Sequence, residues 1–119
     1  MKKIYSLKKN KDFQTVFKKG HSAANRQFVV YVLKQEGQPY VRVGLSVSKK
    51  IGNAVTRNRI KRYIREGVRS VENRFIPGID CVIIARKPTV DMSYFDTLNS
   101  LKHALKRAGI LKPIKEGQR

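Results

Sequence analysis

Residues 41–48 alternate strictly between apolar and polar or small side chains, the period of a β-strand with two different faces. One face carries Val41, Val43, Leu45 and Val47, and the other carries Arg42, Gly44, Ser46 and Ser48. Residues 27–33 divide in the same way, with Phe28, Val30 and Val32 opposite Val29 and Tyr31. We therefore predict a sheet with one face in the hydrophobic core and the other small, polar and partly aromatic.

Helical patterns flank these strands. Asn10 and Asn53 are good N-cap residues, and Gly20 and Gly109 are suited to ending helices. The predicted helices span residues 10–20, 53 to about 71, and about 92–108, with a further strand at 79–86. This order predicts an α+β fold: a single-domain α/β sandwich over residues 1–119, with helices packed on the core face of one sheet. A basic irregular arm over about 1–9 and a frayed basic tail over about 112–119 flank it.

The charge of the chain points to a polyanionic partner. Lysine and arginine number 27 against 8 acidic residues, a formal net charge of +19, whereas solubility requires only about 2–8. Residues 37–65, which include a predicted strand and a basic helix, contain no Asp or Glu. Arg57, Lys61, Arg65 and Arg69 repeat like charge at i, i+4, whereas a merely solvated face would mix signs. Nucleic acid is therefore favoured over a solvated face or an anionic membrane.

Catalytic and metal-binding patterns are missing from the sequence. Cys81 is the only cysteine and lies in an apolar run, which predicts a buried, inert thiol. His21 and His103 have no ligand at metal-binding spacing, and Ser46 and Ser48 have no nearby histidine. No signal peptide or membrane span is apparent, so we expect a soluble, cytoplasmic protein without its own catalytic residues or a strong metal site.

The block GLSVSKKIGNAVTRNRIKRYIR, residues 44–65, resembles the signature region of the bacterial ribonuclease P protein subunit. The similarity extends to LKKNKDFQTVFKKG, ANRQF and IIARKP, and so covers most of the chain. It implies an αβββαβα order with a left-handed β-α-β crossover, against the usual right-handed rule. It also implies a ribonucleoprotein whose catalytic RNA removes the 5′ leader of precursor tRNA with Mg²⁺, bound mainly by RNA and not tightly by the protein. The protein would bind both the catalytic RNA and the single-stranded leader.

The resemblance also assigns roles to residues. Contacts to the catalytic RNA are implied for Arg57, Asn58, Arg59, Lys61, Arg62, Arg65, Lys49 and Lys50. A leader-binding cleft is implied for Phe13, Phe17, Val29, Tyr31, Arg42, Ser46 and Ser48. Aromatic side chains accept any base by stacking, which suits leaders of varied sequence. From the residues alone, Phe13 and Phe17 at i, i+4 also fit a core position, whereas Tyr31 lies opposite the core face.

Two other functions are compatible with some of these features. A non-enzymatic RNA-binding module, such as a small ribosomal protein, would share the charge and the strand-helix order. A DNA-binding helix-turn-helix protein fits less well, because three strands are predicted and no short turn joins two helices. The charge also predicts that sulfate or phosphate binds the free protein and favours its folding.

Overall fold

A computed structural model describes residues 4–113, which form five strands and three α-helices. The strands are β1 (Ile4–Ser6), β2 (His21–Ala24), β3 (Phe28–Lys34), β4 (Val41–Ser46) and β5 (Ile79–Ala85). The helices are α1 (Asn10–Lys19), α2 (Ala54–Ser70) and α3 (Tyr94–Arg107), with short 3₁₀ segments at Glu72–Arg74 and Lys87–Asp91. This is the implied αβββαβα order, preceded by one additional short strand.

The strands form one mixed sheet in the order β1-β4-β5-β3-β2. β3 is antiparallel to both β2 and β5, whereas β4 is parallel to both β1 and β5. Strand β4, helix α2 and strand β5 therefore make a β-α-β crossover between neighbouring parallel strands. The left hand of this crossover stays a prediction from the family resemblance.

The main core lies between one sheet face and the helices α2 and α3. Ile60 and Ile64 of α2 and Leu101 and Leu105 of α3 are almost fully buried against the sheet. The two helices approach closely at Gly67, where a Cβ would lie 2.7 Å from Leu101 Cδ2. The predicted core face of β3 and β4 is confirmed, because the alternate apolar residues of both strands belong to this cluster.

Helix α1 lies on the opposite face of the sheet. Its buried residue Val16 belongs to a separate cluster with Leu7 and Val82, which Phe13, Phe17, Tyr31, Leu33 and Ile84 complete. The prediction that the helices pack on the core face is therefore wrong for α1. The sequence shows the apolar stripe of α1, but such a stripe does not indicate which of the two sheet faces the helix covers.

Several predicted boundaries were wrong. Residues 4–6 of the supposed irregular arm form β1, which pairs with β4, and residues 1–3 lie outside the described range. The sequence pattern did not predict strand β2, because its four residues, HSAA, do not alternate between apolar and polar side chains. Helix α1 has Lys9 as its N-cap, without a side-chain hydrogen bond, so Asn10 is its first residue and not its cap.

Other boundaries were confirmed or shortened. Asn53 caps α2 as predicted, because its side-chain oxygen accepts a hydrogen bond from the Thr56 amide at 2.9 Å. Strand β4 ends at Ser46 and not at residue 48. Lys112, in the predicted frayed tail, donates its amide to the Arg74 carbonyl at 2.6 Å. The rest of that predicted tail, residues 114–119, lies outside the described residues.

Candidate nucleic-acid interface

The turn before α2 displays two lysines. The Ile51 amide bonds to the Ser48 carbonyl at 3.0 Å, and the Ile51 side chain is buried, which anchors the turn to the core. Lys49 and Lys50 are both exposed on this turn. Because the first turn of a helix has free backbone N–H groups and a positive dipole end, the lysines and the helix start together attract anions.

The two arginines of the Arg-Asn-Arg motif are held by backbone carbonyls. Arg57 Nε donates to the Gly52 carbonyl at 3.1 Å, and Arg59 Nη2 donates to the Val90 carbonyl at 2.7 Å. Asn58, between them, is exposed. A guanidinium has five N–H donors, so each arginine keeps donors for a further acceptor while its orientation is restricted. The side chains are thus partly ordered before any ligand arrives.

The next turns of α2 continue the positive charge. Arg62 and Arg65 are exposed and Lys61 is half-buried, and the Arg62 guanidinium carbon lies 5.5 Å from the centre of the Tyr63 ring. Within residues 4–113, none of these side chains lies within 4.0 Å of a carboxylate, because both salt bridges found there belong to Arg42. The charge of this face is therefore not neutralised by the described part of the protein.

An aromatic group lies on the other side of the sheet, beneath α1. The Phe17 and Tyr31 rings are edge-to-face with centroids 5.0 Å apart, and the Phe13 and Phe17 centroids are 6.4 Å apart. All three side chains are half-buried. Phe13 packs directly on Gly44, where a Cβ would lie only 2.5 Å from Phe13 Cζ, so any other residue at position 44 would displace the ring. The aromatic residues thus contribute to packing and still expose part of their surface.

The sheet register places the remaining predicted cleft residues in two rows. Val82 lies between Tyr31 and Gly44 in one row. Ile84 lies between Val29 and Ser46 in the next row. Val29, Ile84 and Ser46 are half-buried, and Ser48 is exposed beyond the end of β4.

The structure therefore brings Phe13, Phe17, Val29, Tyr31 and Ser46 to one face of the sheet. Sequence reasoning missed Val82 and Ile84, which complete the floor. The run CVII is apolar at every position, so it has no alternation to show which residues face α1.

Arg42 lies on the predicted sheet face, and its guanidinium is paired with carboxylates of the same chain. Its Nε and Nη2 donate to the two carboxylate oxygens of Asp80 at 2.8 and 2.5 Å, and Nη1 lies 3.5 Å from Asp12. Gln35 and Gln38 also donate to Asp80, at 2.9 and 3.1 Å. Burial raises the pKa of Asp80, but the hydrogen bonds from Arg42, Gln38 and Gln35 outweigh it, so the net pKa is lowered. Arg42 is thus engaged with carboxylates of its own chain, and its contact with the leader stays a prediction.

Cys81 lies in the hydrophobic core. Complete burial raises the pKa of the Cys81 thiol to about 12, which keeps it protonated and unreactive, as predicted. In the range 4–113, no three His, Cys, Asp or Glu side chains are grouped so that they could hold a metal ion. No described helix combines the length and the apolar character needed to cross a membrane.

Known proteins resemble this chain over most of its length. The family model described as Ribonuclease P matches residues 1–109. A protein of a Geobacillus species, strain WCH70, named ribonuclease P protein component, is 57% identical over 112 residues, which cover 94% of this chain and 97% of that protein. A Bacillus cereus protein of the same name is 58% identical over 116 residues, or 98% of this chain and 100% of that protein.

Solved structures of proteins with the same name are also similar to this chain in fold and sequence. The RNase P protein of Staphylococcus aureus has a TM-score of 0.86 and 49% identity, covering 91% of this chain and 98% of that one. The RNase P protein of Thermotoga maritima has a TM-score of 0.78 and 35% identity, covering 86% and 96%. The family model, the relatives and the solved structures together show that the chain belongs to the ribonuclease P protein family.

Proposed function

We propose that this protein is the RNA-binding subunit of a ribonuclease P that removes the 5′ leader from precursor tRNA in the cytoplasm. The observation that carries the proposal is the separation of two surfaces on one sheet in a member of this family. The basic helix α2 packs on one face, and the aromatic group of Phe13, Phe17 and Tyr31 lies on the other. One protein can therefore contact two RNA segments at once.

The α2 surface would bind the catalytic RNA. Arg57 and Arg59 are oriented by the Gly52 and Val90 carbonyls, and a planar guanidinium can donate two parallel hydrogen bonds to a phosphate. Lys49, Lys50, Lys61, Arg62 and Arg65 would add contacts along the RNA backbone. Because such contacts recognise phosphates and shape, they position the protein without demanding a particular sequence.

The aromatic cleft would bind the single-stranded leader. Tyr31 and Phe17 each have an exposed part against which a base can stack, and the apolar floor of Val82 and Ile84 supports them. Stacking is worth about 1–3 kcal/mol per base and tolerates any base. Ser46 and Ser48 would supply hydroxyl groups at the end of the cleft. A leader of variable sequence can be held by such a site.

The chemistry of cleavage is assigned to the catalytic RNA. The proposal places the Mg²⁺ ion mainly on the RNA, and residues 4–113 contain no group of three His, Cys, Asp or Glu side chains that could hold a metal ion. The protein's part is to hold the substrate leader beside the catalytic RNA and to reduce the electrostatic repulsion between the two RNAs. We expect the reaction to require less Mg²⁺, since cations of the protein replace part of the Mg²⁺ that would otherwise screen the phosphate charges.

Reconstitution tests this proposal against the alternative of a general RNA-binding module. Purified protein is added to a bacterial ribonuclease P RNA, and cleavage of precursor tRNA is followed at low Mg²⁺. We expect stimulation by this protein and little by polylysine of the same total charge. Equal stimulation by polylysine, or none by the protein, would contradict the proposal and favour a general RNA-binding role.

A further inference from the structure

A cavity of about 420 Å³ lies at the β1 edge of the sheet, on the α2 side and away from the aromatic cleft. Its apolar wall consists of Ile4 from β1, Val43 and Leu45 from β4, and Val68 from α2. It exists because β1 has only three residues and α2 does not cover the whole edge, which leaves Leu45 half-buried. Its volume is within the range of roughly 300–1,000 Å³ in which small-molecule sites occur.

The rim of this cavity is strongly basic. Lys61, Arg65 and Arg69 lie one helical turn apart on α2 and all line the cavity, and Lys8 follows β1 on the other side. Glu72 is the one carboxylate among the lining residues, so four positive charges stand against one negative charge. In the described range none of the four cations is within 4.0 Å of a carboxylate.

An apolar cavity with a cationic rim matches the two halves of a nucleotide. A base is flat and largely apolar on its faces, and its phosphate can be bound bidentately by arginine. β1 is the outermost strand of the described sheet, so alternate backbone N–H and C=O groups on its outer side have no strand partner. These backbone groups can bond the polar edge of a base.

We propose that this cavity binds one unpaired nucleotide of an RNA chain, with the base against Leu45 and Val68 and the phosphate at Arg65 and Arg69. This inference rests on the proposed RNA-binding function, and it adds a site at which a single extruded base is held. The RNA source is favoured over a free nucleotide because the rim is continuous with the basic face of α2, along which an RNA backbone would already run.

Binding of small probes to the purified full chain tests the ligand chemistry. Adenosine monophosphate, ribose 5-phosphate and inorganic phosphate are titrated by calorimetry and by amide chemical-shift mapping. We expect adenosine monophosphate to bind about 5- to 150-fold more tightly than ribose 5-phosphate, with shifts concentrated at β1 and Leu45. Equal affinity for all three probes would reduce the site to an anion site and overturn the proposal.

Two variants test the location. Ser6→Trp places a large side chain at the cavity and is expected to weaken adenosine monophosphate binding about tenfold or more, whereas Ser6→Ala leaves it unchanged. Arg69→Gln is expected to weaken it about tenfold, whereas Arg107→Gln, which removes one exposed charge from α3, has little effect. Circular dichroism establishes that each variant is folded. If Ser6→Trp and Arg69→Gln both bind like the parent chain, the cavity is not the site.

A pair of RNA hairpins tests the source. One hairpin carries a single bulged adenosine, and the other has the same sequence fully paired. The parent protein is expected to prefer the bulged hairpin, and Ser6→Trp is expected to lose that preference. No preference in the parent protein would refute the RNA assignment. None of these measurements uses a catalytic RNA or precursor tRNA, so their failure is distinct from failure of the reconstitution that tests the proposed function.

Discussion

Replacing Tyr31 by alanine separates leader binding from every other function proposed for the protein. Tyr31 lies on β3, on the sheet face opposite α2, and its ring centroid is 5.0 Å from that of Phe17. The variant removes one platform for a leader base, so precursor tRNA should bind about 5- to 150-fold more weakly, equivalent to about 1–3 kcal/mol. Mature tRNA has no leader, and its affinity should stay within about twofold of the parent value.

The same substitution has a separate effect on stability. Loss of the edge-to-face pair with Phe17 costs about 0.5–1.5 kcal/mol, in addition to the loss of a half-buried side chain. Folding must therefore be measured independently by circular dichroism and urea unfolding. Tyr31→Phe keeps the ring and should restore precursor binding, which distinguishes the stacking surface from the hydroxyl group.

Tyr40→Ala provides a matched control. Tyr40 pairs edge-to-face with Tyr5 at 5.1 Å, nearly the geometry of the Phe17–Tyr31 pair, but it belongs to neither the cleft nor the α2 face. Both affinities should be unchanged in this variant. The assay is equilibrium binding of the reconstituted holoenzyme to precursor and mature tRNA. If folded Tyr31→Ala weakens both tRNAs equally, the assignment of the leader to the cleft is wrong.

Four further measurements examine the charges of the chain. Asp80→Asn should lower the free energy of unfolding in urea by about 3–5 kcal/mol, because it leaves Arg42 without its buried partner. Asp12→Asn, whose carboxylate lies 3.5 Å from Arg42, should cost at most about 1 kcal/mol. Similar small losses in both variants would disprove the buried-pair account. Because the folded pKa of Asp80 is lowered, the stability that its ionised carboxylate contributes is complete above the unfolded pKa near 3.8 and is lost as the pH falls through the folded pKa. The difference in free energy of unfolding between the parent and Asp80→Asn should therefore shrink in acid. Phosphate should raise the melting temperature of the free protein, since a ligand at 100 times its Kd adds about 2.7 kcal/mol, and an unchanged melting curve would contradict anion binding. RNA affinity should fall by about 10³-fold or more between 50 and 200 mM salt if about six phosphates are contacted, and a flat profile would contradict the polyanion interpretation.

Local patterns were enough to predict α2 and the two faces of β3 and β4. The cap at Asn53 and the alternation of residues 41–46 each depend on neighbours within a few positions, so they can be read from the chain. The resemblance in residues 44–65 supplied the family, and the family model and the relatives confirmed it. The roles assigned to individual residues on the two surfaces stay predictions.

Other features of the fold and of the site depend on interactions between residues that are distant in the sequence. Strand β1 exists because residues 4–6 pair with β4, about 37 positions later, and nothing within the segment itself signals a strand. Arg42 resembled a free cation in sequence, but the register of β4 with β5 places it opposite Asp80, where four hydrogen bonds hold the buried carboxylate. The basic charge, the helix and the family were thus determined by the sequence itself. The side of the sheet that α1 covers, the arginine that is neutralised and the cavity beside β1 depended on tertiary structure, because each arises only when segments far apart in the chain come into contact.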